Sequence, residues 1–266
     1  MRVLILAGTA EAGELASHLA GQPTIHVISS LAGRTRTPRA LPGAVRVGGF
    51  GGPEGLERFL RAERIERVID ATHPFAARMS ANAEHACRAA DVPRLRLLRP
   101  AWRAGPGDRW HEVESMAEAA EPLPSLGRRA FLSVGGTDLA AFASCRGVFF
   151  LVRGIERPTN LPLQDALWIC GRGPFRLEAE LELLRAHRIE VVIAKASGGA
   201  ATWPKIEAAR ELGLPVIMQR RPPPPPGPVV ADVREVLIWL GVPEFSPIGG
   251  AGAARGDGRE RTAGCR

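Results

Sequence analysis

The chain alternates short runs of apolar residues with longer segments in which apolar residues recur every three or four positions. The short runs predict buried strands and the longer segments predict amphipathic helices, an alternation typical of parallel sheets covered on both faces. In the first half the predicted strands are 3–7, 24–29, 45–47, 67–71 and 94–98, and the predicted helices are 11–20, 53–63 and 75–90.

The second half repeats this pattern after a linker-like segment, 100–124, that is rich in Pro and Gly. Its predicted strands are 130–134, 148–152, 167–170, 191–194 and 216–218, with helices at 174–187 and 204–212. We therefore predict an α/β protein with two Rossmann-like domains, 1–122 and 123–242, with mainly parallel sheets, and a disordered tail over 243–266. A ligand is expected in a crevice between the domains, at the carboxyl ends of the strands.

Composition narrows the class of partner. The 266 residues carry a net charge of +7, and Lys195 and Lys205 are the only lysines. Arginines bind carboxylates and phosphates through paired hydrogen bonds, and here they are scattered along the chain, which favours a small anionic ligand over nucleic acid.

No stretch reaches the roughly 20 apolar residues that span a bilayer, and the first segment is a core strand rather than a signal peptide, so we expect a cytoplasmic protein with no membrane partner. The four cysteines form no CxxC pair, and no metal site is predicted.

The first predicted strand runs directly into Gly8-Thr9-Ala10-Glu11 and then a helix. A glycine at this point lets the backbone approach a phosphate, Thr9 offers a hydroxyl, and the helix N-terminus supplies free N–H groups. An ordinary strand–helix turn with Thr9 as the N-cap is equally compatible with these residues.

The second strand ends in Ser29-Ser30 and is followed by Gly33, Arg34 and Thr35. In a dinucleotide-binding unit, a carboxylate about 20 residues after the glycine turn usually holds the ribose hydroxyls of NAD. Hydroxyls and a guanidinium at this place would bind a 2′-phosphate instead. The sequence therefore favours NADP(H) if the site binds a nucleotide.

A second polar loop, Thr72-His73-Pro74-Phe75, follows the strand that ends near Asp70. His73 could donate a hydrogen bond to a ligand or act as an acid. The alternative is a helix-capping cluster in which Asp70 is buried against backbone N–H groups.

A third loop, with Lys195, Ser197, Gly198 and Gly199, follows strand 191–194. Glycines beside a serine can form an anion-binding concavity of N–H groups, to which the lysine adds a full charge. Arg172 and Arg220 are weaker candidates of the same kind. The absence of tyrosine excludes the Tyr-x-x-x-Lys chemistry of short-chain dehydrogenases, and the absence of G-x-S-x-G argues against an α/β-hydrolase.

The segments GTAE, SSLAGRT, GGFGG, DATHPFA, LVR, GRGPF, KASGG and PVIMQRRP occur here in one order, from Arg2 to about Leu240. Together they resemble the precorrin-6A reductase family of cobalamin biosynthesis. The resemblance implies an oxidoreductase that acts on a CH–CH group and uses NADPH to reduce one double bond of the macrocycle precorrin-6A, giving precorrin-6B. The substrate would be a tetrapyrrole with many carboxylates, which accounts for the arginines, and the neighbouring enzymes of the corrin pathway are candidate partners for channelling.

The resemblance also implies residue roles. Those for the cofactor are Gly8, Thr9, Ala10 and Glu11 at the phosphates, Ser29, Ser30, Gly33, Arg34 and Thr35 at the adenosine end, and Thr72, His73, Pro74 and Phe75 near the nicotinamide or the macrocycle. Those for the substrate carboxylates are Lys195, Ser197, Gly198, Gly199, Arg172 and Arg220. The chain departs from the family at Gly13, where many members have arginine, and no catalytic residue is assigned. Two alternatives stay open: a cobalt-precorrin-6A reductase that uses NADH, and a non-catalytic NADP(H)-binding redox sensor.

Overall fold

The computed structural model describes residues 1–33 and 40–242, which form two α/β units. The first unit contains residues 1–99 and 223–242, and the second contains 100–222. The predicted cofactor residues Arg34 and Thr35 and the predicted tail, 243–266, lie outside the described residues.

The first unit is a six-stranded parallel sheet in the order β12-β5-β4-β1-β2-β3. Its strands are β1 (Arg2–Leu6), β2 (His26–Leu31), β3 (Ala44–Val47), β4 (Arg67–Asp70), β5 (Arg94–Leu97) and β12 (Val229–Val230). Its helices are α1 (Ala10–Ala20), α2 (Pro53–Ala62), α3 (Ala77–Ala90) and α8 (Val233–Leu240).

The second unit is also a six-stranded parallel sheet, in the order β6-β11-β10-β7-β8-β9. Its strands are β6 (Arg109–Val113), β7 (Arg129–Leu132), β8 (Phe149–Gly154), β9 (Ala166–Cys170), β10 (Val191–Lys195) and β11 (Pro215–Gln219). Its helices are α4 (Met116–Ala120), α5 (Leu123–Leu126), α6 (Leu177–Ala186) and α7 (Pro204–Glu211), with 3₁₀ helices at Gly136–Phe142 and Ala200–Thr202.

Helices bury both faces of each sheet, as the continuous apolar runs of the central strands require. On β1, Val3 and Ile5 pack with residues of α1 and α8, whereas Leu4 and Leu6 pack with residues of α2 and α3. The second sheet has two equivalent cores. The predicted fold class, two Rossmann-like α/β units with parallel sheets, is confirmed.

The division of the chain differs from the predicted boundary between 122 and 123. The first sheet takes its sixth strand, β12, from the end of the described chain, and the second sheet takes β6 from within the predicted linker. Edge strands pair on one side only, so they need little apolar sequence and leave a weak pattern. Within the described ranges no helix is long and apolar enough to cross a membrane.

Candidate functional site

The turn after β1 lies directly against the loop that follows β4. A Cβ atom at Gly8 would lie 3.3 Å from the backbone nitrogen of His73, so a side chain there would force one of the two loops to move. Thr9 is the N-cap of α1: its Oγ1 accepts a hydrogen bond from Ala12 N at 3.2 Å and donates one to Ala71 O at 3.1 Å. The Thr9 hydroxyl therefore joins the two loops, and the N–H groups of the first turn of α1 are the donors that this turn offers to an anion.

A buried network centred on Asp70 fixes the position of Thr72. Asp70 Oδ1 accepts hydrogen bonds from Thr72 Oγ1 at 2.7 Å and from Thr72 N at 3.2 Å. Asp70 Oδ2 accepts a hydrogen bond from Arg96 at 2.8 Å and lies 3.8 Å from the guanidinium of Arg94. Ser80 of α3 contacts both Thr72 and Arg96, and all five side chains are buried. Two guanidinium groups thus share one carboxylate, and the network carries a net positive charge.

His73 presents a defined pair of ring nitrogens. Its Nδ1 accepts a hydrogen bond from Phe75 N at 3.3 Å, and its carbonyl accepts one from Ala76 N at 2.7 Å. With Nδ1 as the acceptor, the neutral imidazole carries its proton on Nε2. Pro74, which lies between His73 and Phe75 in the chain, is buried. The ring centroids of His73 and Phe75 are 5.9 Å apart. The loop therefore holds Nε2–H as the donor of this imidazole.

The loops after β1, β4 and β5 line one shallow cleft in the first unit. Its lining residues are Thr9, Glu11, Thr72, Pro74, Leu97, Leu98 and Arg99. Glu11 Oε2 accepts a hydrogen bond from Arg99 Nη1 at 2.8 Å, and both side chains are mostly shielded from solvent. Arg99 thereby cancels a negative charge that would otherwise repel a phosphate from the first turn of α1.

The end of β2 carries the two predicted serines. Ser29 is fully buried, and its Oγ makes no hydrogen bond to any residue that the structure describes. Ser30 is 5% exposed and lies opposite Arg46 of β3 in the parallel register. Gly33 has a φ of +72°, which favours glycine, and a Cβ there would lie 3.3 Å from the side chain of Val47.

In the second unit, Lys195 at the end of β10 pairs with Asp138, which follows β7. Lys195 Nζ donates to Asp138 Oδ2 at 2.7 Å, and the two side chains are 18% and 23% exposed. Asp138 lies in the 3₁₀ helix Gly136–Phe142, and its backbone N–H donates to Gly135 O at 2.9 Å. The ammonium group is therefore fixed in place at the carboxyl edge of this sheet, within reach of solvent.

Arg221, which follows β11, holds the loop after Lys195. Its guanidinium donates to Ala196 O at 2.6 Å and to Ser197 O at 2.8 Å. Gly198 has a φ of +67°, and a Cβ atom there would overlap the carbonyl oxygen of Pro100. Gly199 also has a positive φ, +80°. Ser197 and Gly198 are buried and Gly199 is partly exposed, so solvent reaches this loop mainly at Gly199.

The two predicted arginines of this unit have different environments. Arg172 is exposed on the turn after β9. Arg220 is half-exposed and forms ion pairs with Glu114 and, at 4.0 Å, with Glu112. Its charge is thus largely balanced within the protein.

Three of the residues that organise these loops were not predicted: Arg99, Asp138 and Arg153. Arg99 and Asp138 each follow a buried strand by a few residues, which is the signal that identified Thr72 and Lys195. Arg153 is buried at the end of β8, where it forms an ion pair with Glu180 and stacks 3.6 Å from the ring centroid of Phe175. No local sequence signal distinguishes Arg153 from the other arginines, because its role depends on α6. Within the described ranges, no group of His, Cys, Asp and Glu residues could hold a metal ion.

The family model described as precorrin-6x reductase CbiJ/CobK matches residues 2–241. The chain is 46% identical over 241 residues to the precorrin-6A reductase of Rhodococcus erythropolis, an alignment that covers 90% of this chain and 97% of that protein. It is 33% identical to the cobalt-precorrin-6A reductase of Methanothermobacter thermautotrophicus, over 83% of this chain and 76% of that protein.

A solved structure described as CobK precorrin-6A reductase superposes with a TM-score of 0.86 at 44% identity. The match covers 91% of this chain and 96% of that chain, so it includes both units. Sequence and fold agree over nearly the whole described chain, which therefore belongs to the precorrin-6x reductase family.

Proposed function

We propose that this protein reduces one double bond of precorrin-6A with NADPH as the reductant. The reduction of precorrin-6A in cobalamin biosynthesis, by an oxidoreductase with a nicotinamide cofactor, follows from family membership and from identities of 42–46% to precorrin-6A reductases. The choice of NADPH rests on one observation. The end of β2 carries Ser29 and Ser30, and no carboxylate occurs between Glu14 and Glu54 to hold the ribose hydroxyls of NAD.

The first unit fits a dinucleotide at the carboxyl ends of β1, β2 and β4. Gly8 lets the turn after β1 lie against the loop of His73, and the first turn of α1, at Ala10 and Glu11, would point its N–H groups toward a diphosphate. Arg99 neutralises Glu11, and the buried charge around Asp70 is positive. These features favour an anion at the turn. Ser30 and Gly33, at the end of β2, would contact the adenosine end of the dinucleotide, whereas Ser29 is fully buried.

When bound, a reduced nicotinamide supplies the hydride for one carbon of the double bond, and a proton must reach the neighbouring carbon. Thr72, held by Asp70, fixes the loop of His73, Pro74 and Phe75 beside the phosphate turn. His73 Nε2–H would then donate a hydrogen bond to the nicotinamide or to the macrocycle. The contribution of the protein is chiefly to hold the reacting groups in place and to fix this donor.

The second unit would bind the carboxylates of the substrate. Lys195 is held by Asp138, so a substrate carboxylate would meet an ammonium group of fixed position. The backbone of Ser197, Gly198 and Gly199 lies beside it, and Arg172 and Arg220 would contribute from neighbouring loops. Because the side chain of Arg220 is 50% exposed and that of Lys195 only 18%, solvent screens a carboxylate at Arg220 more strongly, and we expect the loss of Arg220 to cost less than that of Lys195.

The test is oxidation of NADPH by the purified protein with and without precorrin-6A, with NADH and with cobalt-precorrin-6A in parallel. We expect oxidation that requires metal-free precorrin-6A and is faster with NADPH. A preference for NADH, or for the cobalt-containing substrate, would contradict the corresponding part of the proposal. Binding of NADPH without turnover of either substrate would leave the redox sensor as the better explanation.

The roles of the two units can be separated by two substitutions. Lys195→Met should weaken precorrin-6A binding and leave the Kd of NADPH unchanged, because Lys195 lies in the second unit. Gly8→Ala should weaken NADPH binding. The same effect on NADPH binding from both variants would contradict the assignment.

A further inference from the structure

The region between α1 and α2 has an unusual charge composition. Between Glu14 and Glu54 the sequence contains no Asp or Glu and four arginines, at 34, 36, 39 and 46. Arg46 is the one that lies within the described residues. It belongs to β3, the edge strand next to β2, and it lies directly opposite Ser30 in the parallel register.

The guanidinium of Arg46 is held at the carboxyl end of this edge. Its two terminal nitrogens donate hydrogen bonds to Gly48 O at 2.5 Å and Gly49 O at 2.6 Å. It also stacks on Phe50, 3.9 Å from the ring centroid. Because Gly48 and Gly49 follow β3, these contacts draw the side chain along the strand toward the edge where β2 also ends.

Arg46 keeps both charge and donors for a further partner. Within the described ranges no carboxylate lies within 4.0 Å of its guanidinium, whereas the buried Arg96 and Arg153 each pair with a carboxylate. A guanidinium has five N–H donors, and the two bonds to carbonyls use two of them. Neighbouring strands are about 4.8 Å apart, so Arg46 and Ser30 start from adjacent positions on the same face of the sheet.

We propose that Arg46 binds the 2′-phosphate of NADPH and determines the preference for NADPH over NADH. This inference rests on the proposed function, in which the adenosine end of the cofactor lies at the end of β2. A phosphate beside Ser30 would receive charge-assisted hydrogen bonds from Arg46, and the two carbonyls and Phe50 hold the guanidinium in place before the cofactor arrives.

The test compares the Kd values of NADPH and NADH for the full chain and for Arg46→Gln. We expect the wild type to bind NADPH at least about 10-fold more tightly than NADH. Arg46→Gln should lose most of this preference through weaker NADPH binding, with the Kd of NADH changed by less than about twofold. Arg46→Lys keeps the charge but loses the planar guanidinium with its paired N–H donors, so its preference for NADPH over NADH should be intermediate.

NADH serves as the internal control for folding and for the loop at 48–52, because it shares every group except the 2′-phosphate. The matched variant is Arg67→Gln, since Arg67 also donates to a backbone carbonyl and stacks on an aromatic ring, Trp239, but at the amino end of β4. It should leave both Kd values unchanged.

Two results would overturn the inference and leave the proposed cofactor intact: an equal loss of NADPH and NADH affinity in Arg46→Gln, or an unchanged preference. A wild type with no preference for NADPH would overturn the proposed cofactor, and this inference with it.

Discussion

Removal of the Asp70 carboxylate should destabilise the first unit more than removal of either of its arginine partners. Asp70 is fully buried, and it is the shared counter-charge for Arg96 at 2.8 Å and Arg94 at 3.8 Å. Asp70→Asn keeps the shape and one acceptor for Thr72, but leaves two buried guanidinium groups without a carboxylate. We expect a loss of about 3–5 kcal/mol in the free energy of unfolding, the usual cost of an uncompensated buried charge.

Arg96→Met should cost less, about 1–3 kcal/mol, because Asp70 and Arg94 would remain as a balanced pair and only charge-assisted hydrogen bonds are lost. Asp70→Asn should lose more of the free energy of unfolding than Arg96→Met because two guanidinium groups share one carboxylate. This order does not depend on the absolute cost of burying either group.

Amide hydrogen exchange read by mass spectrometry measures the loss of stability for each unit separately. Peptides from β4 and β5 should lose protection in Asp70→Asn, while peptides from β10 and β11 should keep it, because these strands belong to the other sheet. Glu57→Gln is the control, since Glu57 pairs with Arg61 on the surface and should matter by less than about 0.5 kcal/mol. If Arg96→Met destabilises β4 as much as Asp70→Asn does, the charge argument is refuted.

Three further predictions concern single sites. Gly198→Ala should lower the free energy of unfolding by about 2–4 kcal/mol in a urea titration, because φ is positive at this residue and a Cβ atom would overlap a carbonyl oxygen. Gly213→Ala is the control: its φ is also positive, +65°, but a Cβ atom would meet nothing within 4 Å, so it should cost about 1 kcal/mol. Burial acts to raise the pKa of Asp108, but hydrogen bonds from Arg210 and Gly105 and the charge of Arg210 outweigh it and lower the pKa below 3.8. Asp108 therefore stabilises the fold above about pH 4 and loses this contribution as the pH falls through its folded pKa, so Asp108→Asn should flatten the acid limb of a pH–stability profile. Burial raises the pKa of the Cys87 thiol to about 12, so at pH 8 a thiol reagent should modify Cys87 only at the rate of unfolding, and rapid labelling of the native protein would contradict this.

The apolar pattern predicts the central strands and their helices because these segments are buried on both faces. Residues 3–7, 67–71 and 191–194 were predicted as strands and correspond to β1, β4 and β10 to within a residue or two. The same reasoning fails for β6, whose sequence RWHEV is mostly exposed, and for β12, which has two residues. Both strands are defined by pairing with β11 and β5, and pairing partners far apart in sequence leave no local pattern.

Prediction of the candidate site from the sequence meets the same limit, because contacts between distant segments leave no local pattern. Gly8, Thr72 and Lys195 could be selected because each ends or follows a buried strand, where the carboxyl edge of a parallel sheet collects ligand-binding groups. The contacts that fix them could not be predicted, because Arg96 reaches Asp70, and Asp138 reaches Lys195, across neighbouring strands and not along the chain. A prediction from sequence can therefore name the loops of such a site before it can name what holds them.

Five strands follow the same order in the two sheets, β5-β4-β1-β2-β3 and β11-β10-β7-β8-β9, but the two units use different groups at the corresponding point. In each sheet the order reverses between two central strands, β1 and β4 in the first unit and β7 and β10 in the second. In the first unit β1 leads at once into α1, so backbone N–H groups of fixed direction are available, which suits a phosphate. In the second unit β7 leads into a short 3₁₀ helix, and the group supplied there is the charged side chain of Lys195, held by Asp138. A charged side chain on a fixed partner suits carboxylates spread around a macrocycle, because each can be met by a separate residue without a common backbone cradle.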